Sequence, residues 1–276
     1  MIALFKALSV LPLWLAHGIG WCLGWLVFAL SASYRRRFRE SAGQAGVGWP
    51  DQARAVGEAG KLAAELPRLW FGAPVALQWV GAEHVQQALD LNRGIVFLTP
   101  HLGCFEMAAQ GYARRFGQDQ RPVTVLFRPA RQRWLRELTG NARARPGLRT
   151  APANLAGVKQ MLKALRAGEC VGLLPDQVPP QGQGLWLRFF GRDAYTMTLS
   201  ARLAHQTGAA LLLAWGERLS WGRGYRVHVR PMPVPLAAQL DRAVLQVNQA
   251  MEELIRECPG QYLWGYARYK QPRQDR

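Results

Sequence analysis

Hydrophobic positions along the chain fall into short apolar runs separated by amphipathic segments. Four of these runs carry no charge and are bounded by turn-forming residues, which is typical of buried strands. They predict strands over residues 95–99, 122–127, 170–174 and 209–215. Residues 225–229 alternate apolar with basic or imidazole side chains, so this segment predicts a strand with one exposed face.

Between the strands, apolar residues recur at helical spacing. The predicted helices cover residues 52–69, 104–116, 134–138, 155–165, 198–206 and 241–258. Strands that alternate with helices favour an α/β fold, with a mixed, largely parallel sheet flanked by helices. In such folds the active site lies at the carboxyl ends of the strands.

The N-terminal segment is apolar over residues 7–30, where no side chain carries a formal charge. A helix of this length is about 36 Å long at a rise of 1.5 Å per residue, which is enough to cross a hydrocarbon core of about 30 Å. One lysine precedes the run, whereas Arg35, Arg36, Arg37 and Arg39 follow it. This asymmetry predicts a membrane helix with its C-terminal side in the cytoplasm.

Two alternatives to a spanning helix stay open. The segment could form a hairpin that only dips into the membrane surface. It could also be a signal peptide, but its apolar core is long for one and an arginine cluster after the cleavage site opposes export. The favoured domain organisation is therefore a membrane anchor over residues 1–34 and a catalytic domain over residues 35–276.

Charge and composition narrow the class of protein. The 276 residues include 35 Lys and Arg against 18 Asp and Glu, giving a formal net charge of +17, and 49% are hydrophobic. So apolar a chain is not disordered, and its cationic surface indicates an anionic partner. Four widely spaced cysteines without a Cys-x2-Cys pair exclude a disulfide framework or a zinc knuckle and fit a reducing compartment.

A histidine and a glutamate at the end of the first predicted strand could carry chemistry. His101 follows the strand directly, Glu106 comes five residues later, and Gly103 between them would let the backbone approach a substrate. An imidazole can take a proton from a hydroxyl group while a carboxylate fixes its tautomer. The alternative is a structural histidine that caps the following helix.

Further polar residues lie at strand ends or near the C-terminus. Arg128 ends the second predicted strand in Val-Leu-Phe-Arg-Pro, and Asp176 ends another in Leu-Leu-Pro-Asp-Gln. The remaining segments are Phe-Phe-Gly-Arg-Asp-Ala-Tyr-Thr over 189–196 and Tyr-Leu-Trp-Gly-Tyr-Ala-Arg-Tyr-Lys over 262–270. Taken in order with the His-x4-Glu pair, these segments resemble the secondary acyltransferases of lipid A biosynthesis, within the glycerolipid acyltransferase superfamily, whose hallmark is His-x4-Asp/Glu.

The resemblance implies roles for six residues. His101 and Glu106 would form the catalytic dyad, with Glu106 orienting His101. Four residues would bind or surround the substrate: Arg128, Arg143, Arg145 and Asp176. Simpler roles remain for two of these, since Arg128 could form a surface salt bridge and Asp176 could cap a turn. The family's Trp-x-His-Arg-Arg-Phe-Lys element is Trp-Gly-Tyr-Ala-Arg-Tyr-Lys over 264–270, which bears on the choice of acceptor and acyl chain.

The expected activity is transfer of a fatty acyl chain from acyl carrier protein to a hydroxyl group of a phosphorylated, glucosamine-based lipid A precursor. An arginine or a backbone N–H would stabilise the oxyanion, and no metal or nucleotide cofactor is expected. The protein would sit in the inner membrane, with its catalytic domain facing the cytoplasm. A lysophospholipid or another glycolipid is the alternative acceptor. A basic, membrane-bound nucleic-acid-binding protein is a remote alternative, because no known nucleic-acid motif is present.

Overall fold

A central sheet organises the part of the chain that the computed structural model describes, which is residues 2–117, 121–127 and 145–273. Two of the predicted site residues, Arg128 and Arg143, and the predicted helix at 134–138 lie outside these ranges. The described strands are β1 (Leu77–Val80), β2 (Ile95–Leu98), β3 (Val123–Phe127), β4 (Leu148–Pro152), β5 (Cys170–Leu173), β6 (Gly184–Phe189), β7 (Arg192–Met197), β8 (Ala210–Arg218) and β9 (Tyr225–Pro231).

Helices precede the sheet and alternate with its strands. They are α1 (Ile2–Leu8), α2 (Leu13–Leu30), α3 (Ala32–Gln44), α4 (Trp49–Ala64), α5 (Leu66–Phe71), α6 (Ala82–Asp90), α7 (Phe105–Arg115), α8 (Leu155–Arg166), α9 (Leu199–Thr207) and α10 (Leu240–Glu257). All predicted elements within the described ranges are present, with shifted ends. The helix predicted over 52–69 is two helices, because the α-helical ladder breaks at Glu65.

The described sheet has seven strands in the order β1-β9-β8-β2-β5-β3-β4. Strands β8 and β9 pair antiparallel, and the other neighbours in this sheet pair parallel. Strands β6 and β7 form a separate antiparallel hairpin. The structure therefore confirms the predicted α/β class with a mixed, largely parallel sheet.

The two faces of the sheet are covered by different helices. Val96 in β2 belongs to a core that includes residues of α2, α3, α4, α8 and α10. Phe97, the next residue, belongs to a second core with residues of α6 and α7. Successive strand residues point to opposite faces, so a short strand buried on both faces reads as a continuous apolar run, as β2 does.

The apolar N-terminal run is split at Pro12 into α1 and α2. Among the described residues, α2 alone is long and apolar enough to cross a membrane by length and composition, and a third of it is buried inside the protein. It packs closely on α4. A Cβ on Gly24 would lie 2.3 Å from the carbonyl oxygen of Val56, and a Cβ on Gly60 would lie 1.9 Å from the carbonyl oxygen of Gly20.

A buried charged cluster joins α2 to the sheet. The guanidinium of Arg218, at the end of β8, donates to both carboxylate oxygens of Glu65 at 2.7 and 2.9 Å and to Glu58 at 3.4 Å. Glu65 also accepts a hydrogen bond from the hydroxyl of Tyr225, at 2.8 Å, and lies 3.1 Å from the imidazole of His17 in α2. Burial opposes the ionisation of Glu65, but Arg218 and His17 outweigh it and hold the pKa of that carboxyl well below its usual range.

Candidate active site

An imidazole and a carboxylate meet at the carboxyl edge of the sheet. His101 Nδ1 lies 2.8 Å from Asp176 Oδ1, and the backbone N–H of His101 donates to Asp176 Oδ2 at 2.8 Å. The hydroxyl of Tyr262 donates to the same oxygen at 3.2 Å. Asp176 is buried and His101 is only partly exposed. Three hydrogen bonds therefore fix the carboxylate, and the carboxylate fixes the ring.

Strand register brings these two residues together. Strands β2 and β5 pair in parallel with Leu98 opposite Leu173. His101 comes three residues after Leu98, and Asp176 comes three residues after Leu173. Since the chains leave adjacent strands at the same edge, equal offsets place the side chains next to each other.

The environment of Asp176 favours its ionised form. Burial alone would raise the pKa of this carboxyl, but the charge of His101 and the hydrogen bonds from its ring and backbone lower it below the usual value. The pKa of the Tyr262 hydroxyl is raised well above its usual value by burial and by Asp176, so the hydroxyl stays protonated and donates. Asp176 can therefore accept the Nδ1 proton of His101, which leaves Nε2 as the basic nitrogen.

Gln177 forms a hydrogen bond with the basic nitrogen of His101. Its amide nitrogen lies 2.9 Å from His101 Nε2, the atom that faces away from Asp176. With Nδ1 protonated, Nε2 accepts this hydrogen bond. The sequence patterns single out neither Gln177 nor Tyr262 as a functional residue. Their contacts arise from the fold, which brings the end of β5 and the C-terminal segment together at His101 and Asp176.

Glu106 lies in the first turn of α7. It is buried, and Trp70 Nε1 lies 3.5 Å from its Oε2. The carboxylate that hydrogen-bonds the ring of His101 is Asp176, and the dyad role expected of Glu106 stays a prediction. Five residues of separation carry Glu106 into the helix and toward α5, whereas the parallel register carries Asp176 to His101.

The backbone N–H groups of Gly103 and Cys104 both donate hydrogen bonds to carbonyl groups of the protein. The N–H of Gly103 donates to the carbonyl of Gln261 at 3.0 Å, and that of Cys104 donates to Gly216 at 2.7 Å. Gly103 has φ of +58°, and a Cβ there would lie 2.1 Å from the carbonyl oxygen of Gly216. This glycine is therefore required by its close contact with β8, and the expected approach of a substrate to its backbone stays a prediction.

Arg145 is the one predicted site arginine within the described ranges. Its guanidinium donates to the side-chain carbonyl of Gln110 at 3.0 Å and to the backbone carbonyls of Leu69 and Trp70. Burial lowers the pKa of Arg145, as does Arg114, while Glu106 acts in the opposite direction. Arg145 thus ties the end of α5 to α7, beside Glu106. The substrate-binding roles of Arg128, Arg143 and Arg145 stay predictions.

An apolar cavity lies beneath α7, close to the His101–Asp176 pair. Its empty volume is about 770 Å³, counting the space open to solvent. Its lining includes Thr99 and Leu174, which come two residues before His101 and Asp176 respectively. Phe105 also lines it, and its ring centroid lies 5.1 Å from that of His101. Glu106 also lines it. The other lining residues are almost all apolar and come from α7 and from strands across the sheet: Trp79, Phe97, Ala108, Ala109, Tyr112, Val123, Val125, Leu126, Leu148, Gly172, Ala214, Val227 and Val229.

The described residues near the site offer neither an activated thiol nor a metal site. Cys104 is fully buried, and burial together with Glu65 raises the pKa of its thiol well above the usual value. A thiol in such a site is not a nucleophile. Within the described ranges, no three His, Cys, Asp or Glu side chains are grouped so that they could hold a metal ion.

The chain is similar to known proteins over most of its length. Residues 53–271 match the sequence model of a family described as bacterial lipid A biosynthesis acyltransferase. The chain is 28% identical over 196 residues to the lipid A biosynthesis lauroyltransferase of Escherichia coli (strain K12), covering 69% of this chain and 61% of that protein.

Two further relatives show the same range of similarity. The lipid A biosynthesis palmitoleoyltransferase of Escherichia coli (strain K12) is 25% identical over 204 residues, covering 74% of this chain and 62% of that protein. The lipid A biosynthesis acyltransferase of Haemophilus influenzae is 24% identical over 187 residues, covering 68% and 57% respectively. The chain thus matches about three fifths of the length of these relatives.

Proposed function

The chain belongs to the bacterial lipid A biosynthesis acyltransferase family, and on that premise we propose that it transfers a fatty acyl chain from the thioester of acyl carrier protein to a hydroxyl group of a phosphorylated, glucosamine-based lipid A precursor. The observation that carries this proposal is the His101–Asp176 pair close to an apolar cavity, which Phe105 joins to the ring of His101. The pair supplies a base for a hydroxyl group, and the cavity supplies an environment for an alkyl chain.

His101 acts as the general base. Asp176 holds the proton on Nδ1, so the lone pair of Nε2 accepts the proton of the acceptor hydroxyl once that hydroxyl displaces the amide of Gln177. The oxygen attacks the thioester carbonyl, a C–O bond forms and the C–S bond breaks. The imidazolium then returns its proton to the departing thiolate of the carrier. Asp176 stabilises the imidazolium between these two steps.

The apolar cavity is proposed to hold the acyl chain. It is lined by Phe105, whose ring contacts that of His101, and it lies under α7, where small residues, Ala108, Ala109 and Gly172, leave room between the helix and the sheet. Each buried methylene contributes about 0.8 kcal/mol to binding, so such a cavity can bind a long chain and position its carbonyl carbon. Glu106 lies on the cavity wall beside Trp70 and close to Arg145, which places a charged group near the reacting end.

The membrane position is proposed to be interfacial, on the cytoplasmic side of the inner membrane. The face of α2 that carries His17, Gly20 and Gly24 is occupied by α4 and by the buried charged cluster. The opposite face exposes large apolar side chains: Trp14, Ile19, Leu23, Leu26, Val27 and Leu30. A helix that is half docked on a charged protein surface suits the plane of the membrane interface. The arginines of α3 follow directly and would meet anionic headgroups.

The acidic acyl carrier protein is the proposed donor. The net charge of +17 attracts an acidic partner over a long range. The same charge attracts a phosphorylated acceptor, so both substrates are drawn to one enzyme.

Purified enzyme in mixed micelles tests this function. With acyl carrier protein thioesters and a tetra-acylated lipid A precursor, mass spectrometry should show an added acyl chain. His101→Ala should lower kcat by about 10²–10⁴, the usual effect of losing a general base, while Cys104→Ala should retain activity. Acylation of lysophospholipid and not of the glycolipid would contradict the proposed acceptor, and full activity of folded His101→Ala would contradict the mechanism.

A further inference from the structure

A second pocket, distinct from the apolar cavity, is lined by cations. Arg37 of α3, Arg192 at the start of β7 and Lys270 near the C-terminus surround it, and we call these three residues the cationic pocket. Its empty volume is about 470 Å³, counting open solvent. Arg268 and Tyr269 also line it, and the remaining lining residues are Glu40, Ser41 and Ala267.

Within the described ranges, the three cations of the cationic pocket form no ion pair with a carboxylate, although Glu40 is part of the lining. No carboxylate of the described residues lies within 4.0 Å of Arg37, Arg192 or Lys270; the ion pairs of this region join other residues, such as Arg36 with Glu40 and Arg188 with Asp193. Instead, Arg192 lies 4.7 Å from the ring centroid of Tyr269 and Lys270 lies 4.9 Å from that of Tyr266. Aromatic faces thus hold these cations in place while their N–H groups stay available.

Arg268 adds a buried charge behind the pocket. It is 3% exposed, and its guanidinium donates to the carbonyl of Tyr195 and to the hydroxyl of Thr196, each at 2.7 Å. Its Nε is buried and has no hydrogen-bond partner. A buried cation without a carboxylate contact raises the positive potential of the pocket and favours an anion there.

The cationic pocket is connected to the active site through one segment of chain. Residues 262–270 carry Tyr262, which contacts Asp176, as well as Arg268 and Lys270 of the pocket. Arg268 is near enough to contribute to lowering the pKa of Asp176. A ligand bound in the pocket would therefore contact the same C-terminal segment that contacts Asp176.

We propose that the cationic pocket binds a phosphate monoester on the headgroup of the acceptor lipid; this rests on the proposed function. Arginine binds phosphate through two parallel charge-assisted hydrogen bonds, and Arg37 of α3 and Arg192 of β7 bring two such groups to the pocket. Arg37 lies seven residues after the end of the apolar helix α2, so this wall lies at the depth of lipid headgroups when α2 rests in the membrane interface. The pocket orients the acceptor by its phosphate while His101 acts on its hydroxyl group.

Kinetics on neutralising variants test the proposal. Arg37→Gln and Arg192→Gln should each raise the KM for a phosphorylated acceptor by about 10-fold, as expected for one hydrogen bond to a charged group, with kcat within about 2-fold because the reacting groups are untouched. An acceptor that lacks the phosphate should show no difference between wild type and variants. Arg188→Gln, which removes an equal charge from the same hairpin outside the pocket, should behave as wild type.

Two outcomes separate this inference from the proposed function. If the wild type acylates a phosphorylated glycolipid but both variants keep its KM, the cationic pocket is not a phosphate site and the function stands. If the wild type acylates no phosphorylated glycolipid, the proposed function fails, and vesicle binding decides on the pocket.

Vesicle binding needs no catalysis. Phosphatidylcholine vesicles containing phosphatidic acid, a phosphate monoester, should bind the wild type more tightly than vesicles brought to equal surface charge with phosphatidylglycerol, a diester. Arg37→Gln and Arg192→Gln should lose this preference, and equal binding of both vesicles by the wild type would overturn the proposal. If the pocket takes phosphate from any source, inorganic phosphate should reduce the preference of the wild type for phosphatidic acid vesicles. If inorganic phosphate leaves that preference unchanged, the pocket is specific for the lipid headgroup.

Discussion

At the scale of single residues, the proposed reaction depends on how one imidazole is held. Asp176 contacts both the ring and the backbone N–H of His101, and Tyr262 and His101 together satisfy its oxygens. A carboxylate so fixed determines which ring nitrogen carries the proton. Gln177, on the other nitrogen, marks the position that the acceptor hydroxyl would take.

Substitutions of the two carboxylates near the site should have different effects on the kinetics. Asp176→Asn leaves the side chain's shape but removes its negative charge, so it should lower kcat by about 10²–10⁴ and change the pH dependence of kcat/KM, because the tautomer and the imidazolium lose their support. Glu106→Gln should also lower kcat but leave the shape of the pH profile unchanged, since Glu106 does not contact the His101 ring. Steady-state kinetics over a pH series measure both. If Glu106→Gln shifted the profile and Asp176→Asn did not, Glu106 would be the orienting group.

Asp176 should also make the stability of the fold depend on pH. Its pKa in the folded protein is lowered below the unfolded value of about 3.9. Ionised Asp176 therefore stabilises the fold above about pH 4, and this contribution is lost as the pH falls through the folded pKa. The difference in the free energy of unfolding between wild type and Asp176→Asn should shrink as the pH falls below about 4. Chemical denaturation in micelles at several pH values measures it, and a constant difference would contradict this linkage.

The sequence could predict His101 as a site residue, because an apolar strand, a proline and a histidine form a local pattern. It could also have paired Asp176 with His101, since each comes three residues after the last residue of a buried strand. That inference requires knowing that β2 and β5 are neighbours, which is a property of the sheet order. The contact of Tyr262 with Asp176 had no sequence signal, because it joins residues 86 positions apart.

At the scale of secondary-structure elements, the N-terminal helices show what periodicity can and cannot predict. The apolar run predicted a helix over 7–30, and the structure breaks it at Pro12 and docks α2 on α4. The buried residues of α2 follow helical spacing: Leu13, Ala16, His17, Gly20, Gly24 and Phe28. In the sequence this face is hard to distinguish, because small and apolar residues lie on both sides of α2.

The sequence patterns missed several elements, among them the 13-residue helix α3, the nine-residue helix α6 and some short strands. Strand β1 has four residues, Leu77–Val80, and alternates half-buried with exposed positions, so its apolar signal is weak. The hairpin of β6 and β7 lies outside the main sheet and exposes many of its side chains. Long, strongly periodic segments such as α10, in contrast, were predicted to within one residue at each end.

Glycine packing between α2 and α4 gives a matched pair of variants on one helix. A Cβ on Gly24 would lie 2.3 Å from the carbonyl oxygen of Val56, whereas a Cβ on Gly18 would meet nothing within 4 Å. Gly24→Ala should therefore destabilise the protein by roughly 1–3 kcal/mol, because the helices must separate. Gly18→Ala should be neutral or stabilising by up to about 1 kcal/mol, since alanine favours helix. Thermal unfolding in micelles compares the two, and equal melting temperatures would mean that α2 does not pack on α4 in this way.

At the scale of the whole molecule, the active site and the apolar helix share one edge of the sheet. His101 and Asp176 follow the carboxyl ends of β2 and β5. Arg218 ends β8, which runs parallel to β2, and anchors the cluster that holds α2 through Glu65 and His17. The edge that carries the chemistry is therefore the edge to which α2 is docked, so an acceptor lipid in the membrane would meet His101 with little displacement from the bilayer.

This arrangement predicts that both ends of the chain lie on the same side of the membrane. If α2 lies in the interface, an N-terminal epitope should be protected from protease in intact spheroplasts and cleaved only after the membrane is permeabilised, as a C-terminal epitope should be. A spanning α2 would place the N-terminus on the opposite side from the catalytic domain. An N-terminal epitope cleaved in intact spheroplasts, with the C-terminal one protected, would therefore exclude the interfacial arrangement.

Trp221 should be a second point of membrane contact. It is 88% exposed in the turn between β8 and β9, has a φ of +59°, and is followed by Gly222, where a Cβ would lie 2.3 Å from the backbone nitrogen of Trp14 in α2. The strained backbone at Trp221 costs about 1–3 kcal/mol and presents a large aromatic side chain beside an apolar helix. Indole rings favour the membrane interface.

Trp221→Ser should weaken vesicle binding roughly 5–30-fold, the equivalent of one to two kcal/mol. Leu91→Ser removes an exposed apolar side chain before the amino end of β2, at the opposite edge of the sheet, and should bind as wild type does. Equal binding by Trp221→Ser and wild type in a vesicle-sedimentation assay would leave α2 and the arginines of α3 as the whole of the membrane contact.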